Sequence, residues 1–147
     1  MSMRVYVING PNLNLLGTRE PEIYGSDTLE DICERCQSIG RELGLEVEFL
    51  QSNHEGDIVD WIQQAIGSVE AIIINAGAYT HTSVAIHDAL RAYKGFKLEL
   101  HVSNPHLREQ FRHISYISPA ADAIIAGVGV DGYKLAVEML PSVLNQN

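Results

Sequence analysis

Glu99 and His101 are two residues apart in Lys97 to Val102, a stretch that reads as a β-strand. Residues i and i+2 of a strand project from one face. A carboxylate beside an imidazole on that face can orient the ring and favour its protonated form, the state of a general acid. Val102, Ser103, Asn104 and Pro105 follow, and Asn104-Pro105 reads as an N-cap with proline at the first helical position. Backbone N–H groups left open at such a turn suit a carboxylate ligand. Arg108 and Arg112 lie just downstream. Two further polar clusters follow apolar runs: Asn75 to Ser83, with His81, and Asn9 to Gly25, with Asn12, Arg19 and Tyr24. Together they would bring Tyr, Arg, Asn, His and Ser to one edge, with no ligand spacing typical of a metal cage.

The elements that must position these residues follow from hydrophobic period. Val5 to Ile8, Val47 to Leu50, Ala71 to Ile74, Lys97 to Val102 and Ala123 to Ala126 read as strands. Ala71 to Ile74 is continuously apolar, as expected for a strand covered on both faces. Between them, apolar residues recur at helical spacing. The first helix carries Ile32, Cys33, Cys36 and Leu43, with Asp27 or Thr28 as cap and Gly44 as stop. A second carries Ile58, Ile62, Ala65 and Ile66 and is entered through Asp57; others span Val84 to Tyr93 and Gly132 to Leu144. The order βαβαβαβ, an irregular link, then βα implies an α/β fold: a flavodoxin-like three-layer sandwich with a five-stranded parallel sheet of order 2-1-3-4-5. Residues 1–147 are expected to form a single catalytic domain. Ligands of such sheets sit beyond the carboxyl ends of the strands, where the polar clusters fall. The connection from Asn9 to Gly25 far exceeds the usual length of about 2–6 residues and reads as a lid or binding loop.

Composition narrows the partners. Ten Lys and Arg against nineteen Asp and Glu give a net charge of −9 over 147 residues, which excludes a broad nucleic-acid or anionic-membrane surface. No apolar run approaches the ~20 residues of a membrane span. Met1 to Val5 lacks a signal-peptide pattern, so a cytoplasmic location is expected. The two cysteines are too few for a disulfide framework.

The polar segments carry a resemblance. Gly10-Pro11-Asn12-Leu13-Asn14-Leu15-Leu16-Gly17, with Arg19-Glu20-Pro21 and Tyr24-Gly25, resembles type II 3-dehydroquinate dehydratase. So do Gln51 to Gly56, Asn75 to Ser83, Glu99 to Asn104, and Phe111-Arg112-His113 with Ser115-Tyr116-Ile117-Ser118. These motifs are collinear and span nearly the whole chain. Leu100, Val102 and Pro105 depart from the residues more usual at their places, and Pro105 removes one N–H near the anion-binding turn.

The resemblance implies anti elimination of water from 3-dehydroquinate to give 3-dehydroshikimate through an enolate, without metal or other cofactor. It implies that Tyr24 is the base. An unperturbed tyrosine has a pKa of ~10, so about one part in a thousand is ionised at neutral pH, and a nearby Arg19 would favour the anion. His101 resembles the general acid, oriented by Glu99. Asn12 resembles the residue holding a water against the enolate. Asn75 either fixes His101 or contacts the substrate. Val102 and Ser103 resemble the carboxylate-binding pair, and Arg112 and His81 the residues that bind hydroxyls. Asp88 matches a residue contributed by a neighbouring subunit, and a homododecamer, a tetramer of trimers, is implied. No nucleic acid or membrane partner is expected.

Other motifs weigh less. Gly127-Val128-Gly129-Val130-Asp131-Gly132 has the G-x-G-x-x-G spacing, but the chain ends before the acidic residue of a dinucleotide-binding unit. It reads as a tight strand-to-helix turn. Cys33-Glu34-Arg35-Cys36 lies within a helix with no second pair, so its cysteines read as buried helix-face residues. The competing function class is a non-catalytic flavodoxin-like module. A receiver domain would need acidic residues where Asn9 and Asn75 stand, whereas a flavin carrier is compatible with the fold alone.

Overall fold

Five apolar runs become five strands in the computed structural model, which describes residues 2–18 and 21–145. They are β1 (Met3–Asn9), β2 (Leu45–Gln51), β3 (Ala71–Asn75), β4 (Phe96–His101) and β5 (Ala123–Ala126). All pair in parallel, in the order β2-β1-β3-β4-β5. This is the expected topology, with its reversal of strand order between β1 and β3.

Alternation of side chains divides the core in two. Val5, Val7, Ala71, Ile73, Leu98 and Leu100 face one side of the sheet. There they meet α2 (Leu29–Glu42) and α5 (Asp131–Leu144) through Ile32, Cys36, Val137 and Leu140. Tyr6, Ile8, Ile72 and Ile74 face the other side. They meet α3 (Glu55–Ala65) and α4 (Val84–Ala92) through Ile58, Ile62, Ile86 and Leu90. Glu99 and His101 alternate with Leu98 and Leu100, so both project away from the α2/α5 side.

Local chemistry explains the element ends. Thr28, one of the two expected caps, starts α2: its side chain accepts from the Asp31 N–H at 3.2 Å, and the Asp31 carboxylate accepts from the Thr28 N–H at 3.0 Å. Gly44 follows the helix end with φ 75°. Asp57 does not cap α3. That helix starts at Glu55 after His54, and the Asp57 carboxylate is turned back to accept from the Ser52 hydroxyl at 2.6 Å. β4 ends at His101, so Val102 lies just beyond the strand. The Tyr93 N–H bonds back to Ala89 and Leu90, but its extended backbone ends α4 at Ala92.

The connection after β1 is more structured than its length implies. Leu13–Leu15 forms a 3₁₀ turn, and Leu13 and Leu16 are buried in the α2/α5 core. A short helix α1 (Pro21–Tyr24) follows. The link between β4 and β5 consists of 3₁₀ turns at Pro105–Leu107, Gln110–Arg112 and Ser118–Ala120. Among the described residues, no helix is long and apolar enough to cross a membrane.

Candidate active site

The strand ends come level at the reversal of the sheet. Asn9 pairs in register with Asn75, and Ile74 with Glu99, so His101 stands one residue further along than Asn75. A cavity of about 160 Å³ opens over these ends. The β1 loop supplies Pro11, Asn12 and Leu13; the turn after β3 supplies Gly77, Ala78 and His81, beside Asn75. His101, Val102, Ser103 and Pro105 line it from β4 onward, with Arg108 and Arg112 from the following turns. The expected residues Asn12, Asn75, His81, His101, Val102, Ser103 and Arg112 thus share one cavity.

Glu99 lies beneath that wall rather than in it. It is 1% exposed, and one carboxylate oxygen meets His101 Nε2 at 2.5 Å and the Ser115 hydroxyl at 2.8 Å. The Ser118 hydroxyl donates to the other oxygen. Burial opposes the charge most strongly, but the bonds from His101, Ser118 and Ser115 outweigh it and hold the carboxyl below its usual range. An ionised carboxylate only accepts, so the facing Nε2 carries a proton. Nδ1 has no hydrogen-bond partner among the described residues. With a proton on Nδ1 as well, His101 becomes a donor into the cavity that it lines.

His81 has the opposite character. Its Nδ1 donates to the Ile114 carbonyl at 2.8 Å. Burial, with the His101 and Arg112 charges, holds the imidazole below its ordinary pKa despite the Ile114 bond and Glu99. The ring is therefore neutral near pH 7, with Nε2 as an acceptor. Ser103 is prepared to donate: Arg108 Nη1 donates to its oxygen at 3.3 Å, leaving the hydroxyl proton uncommitted to that bond. Arg112 Nε donates to Glu109 at 2.9 Å, which also pairs with Arg108 at 3.8 Å. Arg108 joins the expected residues in the cavity lining. Its position in the same linker as Arg112 was the available signal.

Asn75 does not hold His101. Its Nδ2 donates to the Tyr133 hydroxyl at 2.9 Å, and its Oδ1 accepts from the Gly77 N–H at 3.3 Å. Asn12 adopts a left-handed conformation, φ 70°, rare for a residue other than glycine; its N–H donates to Asn53 Oδ1 at 3.0 Å. Asp88 is exposed on α4, outside the cavity lining. Tyr24 ends α1, but its side chain, like the whole of Arg19, lies outside the described residues. Cys36 is buried while Cys33 is half-buried, not buried as expected. Burial, then neighbouring Cys33, pushes the Cys36 thiol up to about 12, which makes it inert.

Residues 3–141 match the family Dehydroquinase class II. This chain belongs to the class II dehydroquinase family. A 3-dehydroquinate dehydratase from Bartonella henselae is 54% identical over 147 residues, covering 100% of this chain and 99% of that protein. Two solved type II dehydroquinases have the same fold. That of Propionibacterium acnes aligns with TM-score 0.93 and 44% identity over 97% of this chain and 98% of its own. That of Butyrivibrio crossotus aligns with TM-score 0.92 and 46% identity over 99% of both chains. A class II dehydroquinase therefore accounts for the five-stranded parallel sheet and for the polar loops gathered over its carboxyl edge.

Proposed function

We propose that this chain is a hydro-lyase that converts 3-dehydroquinate to 3-dehydroshikimate by anti elimination through an enolate. The observation that carries the reading is the His101–Glu99 pair, a proton donor backed by a buried carboxylate in a cavity rich in neutral and cationic donors.

Three tasks divide among named residues. Tyr24, as tyrosinate beside Arg19, takes a proton α to the ketone. Asn12 holds a water against the developing enolate oxygen. His101 gives its proton to the departing hydroxyl, which leaves as water, and Glu99 keeps the imidazolium in place. The substrate carboxylate is received by the Val102 and Ser103 N–H groups and the Ser103 hydroxyl. Asn75, Arg112 and neutral His81 bind the hydroxyl-bearing side of the ring. In a homododecamer, Asp88 of a neighbouring subunit completes the site. The sequence of steps uses protons and hydrogen bonds alone, with no cofactor.

The direct test is ultraviolet absorbance of the enone product from 3-dehydroquinate, with chelator and borohydride controls. Turnover insensitive to both is expected; absence of turnover sinks the reading, and loss with chelator sinks the mechanism. Tyr24→Phe and His101→Ala are each expected to lower kcat by about 10²–10⁴-fold with little change in KM. Near-normal kcat in either variant would remove that residue from its role.

A further inference from the structure

Tyr133, on the first turn of α5, is 1% exposed, and its ring packs against Phe49 with centroids 6.0 Å apart. By volume it is a core residue. Its hydroxyl, however, lies between Asn9 and Asn75, the last residues of β1 and β3. We infer that Tyr133 is a positioning residue, whose hydroxyl sets the orientation in which Asn75 presents its carboxamide to the substrate. The inference rests on the function proposed above and adds a residue that neither touches the cavity nor belongs to the loops around it.

Hydrogen-bond polarity fixes the arrangement. Asn9 Nδ2 donates to the Leu50 carbonyl at 3.0 Å, so Asn9 turns its oxygen to Tyr133. The Tyr133 hydroxyl donates to that oxygen at 2.6 Å. Its proton is thereby committed, and its oxygen accepts Asn75 Nδ2 at 2.9 Å. Asn75 Oδ1 accepts from the Gly77 N–H at 3.3 Å. Both ends of the chain are backbone groups of a single polarity: a carbonyl can only accept, and an N–H can only donate. Flipping Asn75 would set oxygen against oxygen at Tyr133 and donor against donor at Gly77. One Nδ2 hydrogen is spent on Tyr133, and the other is left for the cavity that Asn75 lines. Burial pushes the Tyr133 phenol well above its ordinary range despite the Asn75 bond, so the hydroxyl keeps the proton this polarity requires. Phenylalanine would fill nearly the same volume but would release the carboxamide.

A double-mutant cycle tests the role. The values of kcat and KM for 3-dehydroquinate are measured in the wild type, Tyr133→Phe, Asn75→Ala and the double variant. Tyr133→Phe is expected to lower kcat/KM about tenfold with Asn75 present and less than about twofold with Asn75 replaced. KM is expected to rise in both Tyr133→Phe and Asn75→Ala. Equal losses in both backgrounds, or a fall in kcat at unchanged KM as from a smaller folded fraction, overturn the inference. If circular dichroism finds Tyr133→Phe unfolded, Asn9→Ala, which removes the acceptor of the Tyr133 proton, enters the same cycle with the same outcomes. No turnover by the wild type would overturn the function itself, whereas wild-type turnover with additive losses overturns the role of Tyr133 alone.

Discussion

Glu99 shows how a buried charge is made tolerable at the scale of one residue. Three donors converge on it, so the carboxylate outcompetes its own desolvation. The sign of its contribution follows. Its folded-state pKa is depressed, so the stabilisation is present above the ordinary glutamate value of ~4.3 and is lost as pH falls through the lower folded value. Glu99→Gln is expected to lose about 1–3 kcal/mol of stability near pH 7. Urea titrations of both proteins between pH 7 and pH 3 should show the difference shrinking on the acid side. A difference independent of pH would contradict the charged state. The Glu99–His101 pair was readable from its i, i+2 spacing. The parts played by Ser115 and Ser118 were not legible, because they lie 16 and 19 positions from Glu99 and no local period connects them to β4.

Elements succeed or fail on close approach and capping. Gly10 joins β1 to the site, and its N–H donates to the Asn75 carbonyl at 2.8 Å. A Cβ there would sit 2.2 Å from the Ala76 carbonyl oxygen and 2.6 Å from its carbon, backbone atoms that cannot swing aside. Gly10→Ala must therefore push the β1 and β3 loops apart, displacing Asn12 and Gly77. It is expected to cost about 1–3 kcal/mol and to depress kcat/KM as well. Thr28→Ala removes only the cap of α2, remote from the cavity lining. Calorimetry should find a loss of about 1 kcal/mol with kcat/KM unchanged. If both variants affected stability alone, Gly10 would be a folding residue with no bearing on the site. Strand and helix identities were legible because the apolar runs and 3.6-residue repeats are local. The packed half of the β1 loop was not, since the burial of Leu13 and Leu16 depends on α2 and α5 being in place.

At the scale of the whole molecule, the acidic balance of −9 coexists with a cavity whose lining, among the described residues, holds Arg108 and Arg112 and no carboxylate. Net charge describes solubility and long-range partners, while a local set of donors can still suit a small anion, as the proposed function requires. Exposed Asp88 bears on assembly. If it completes a neighbour's site, Asp88→Ala and His101→Ala are each inactive alone. Mixed oligomers formed by dissociation and reassembly should regain activity, because random assembly gives about a quarter of sites both native residues. Light scattering should give a dodecamer mass. A monomer, or mixtures as inactive as their parents, would remove Asp88 from the chemistry.

Sequence alone determined the strand and helix order, the parallel sheet and the polar loops that line the cavity over its carboxyl edge. Each depends on local period, on turn residues or on motifs that are contiguous in the chain. Tertiary structure decided which groups touch. It bonded Asn75 to Tyr133 rather than to His101, across 58 positions, and brought Tyr133 to Asn9 across 124. It also placed Arg108 against Ser103 and left Asp88 facing outward. Hydrogen-bond polarity and burial are properties of three-dimensional neighbours, and sequence spacing carries no record of them once residues are joined only by the packing of a sheet.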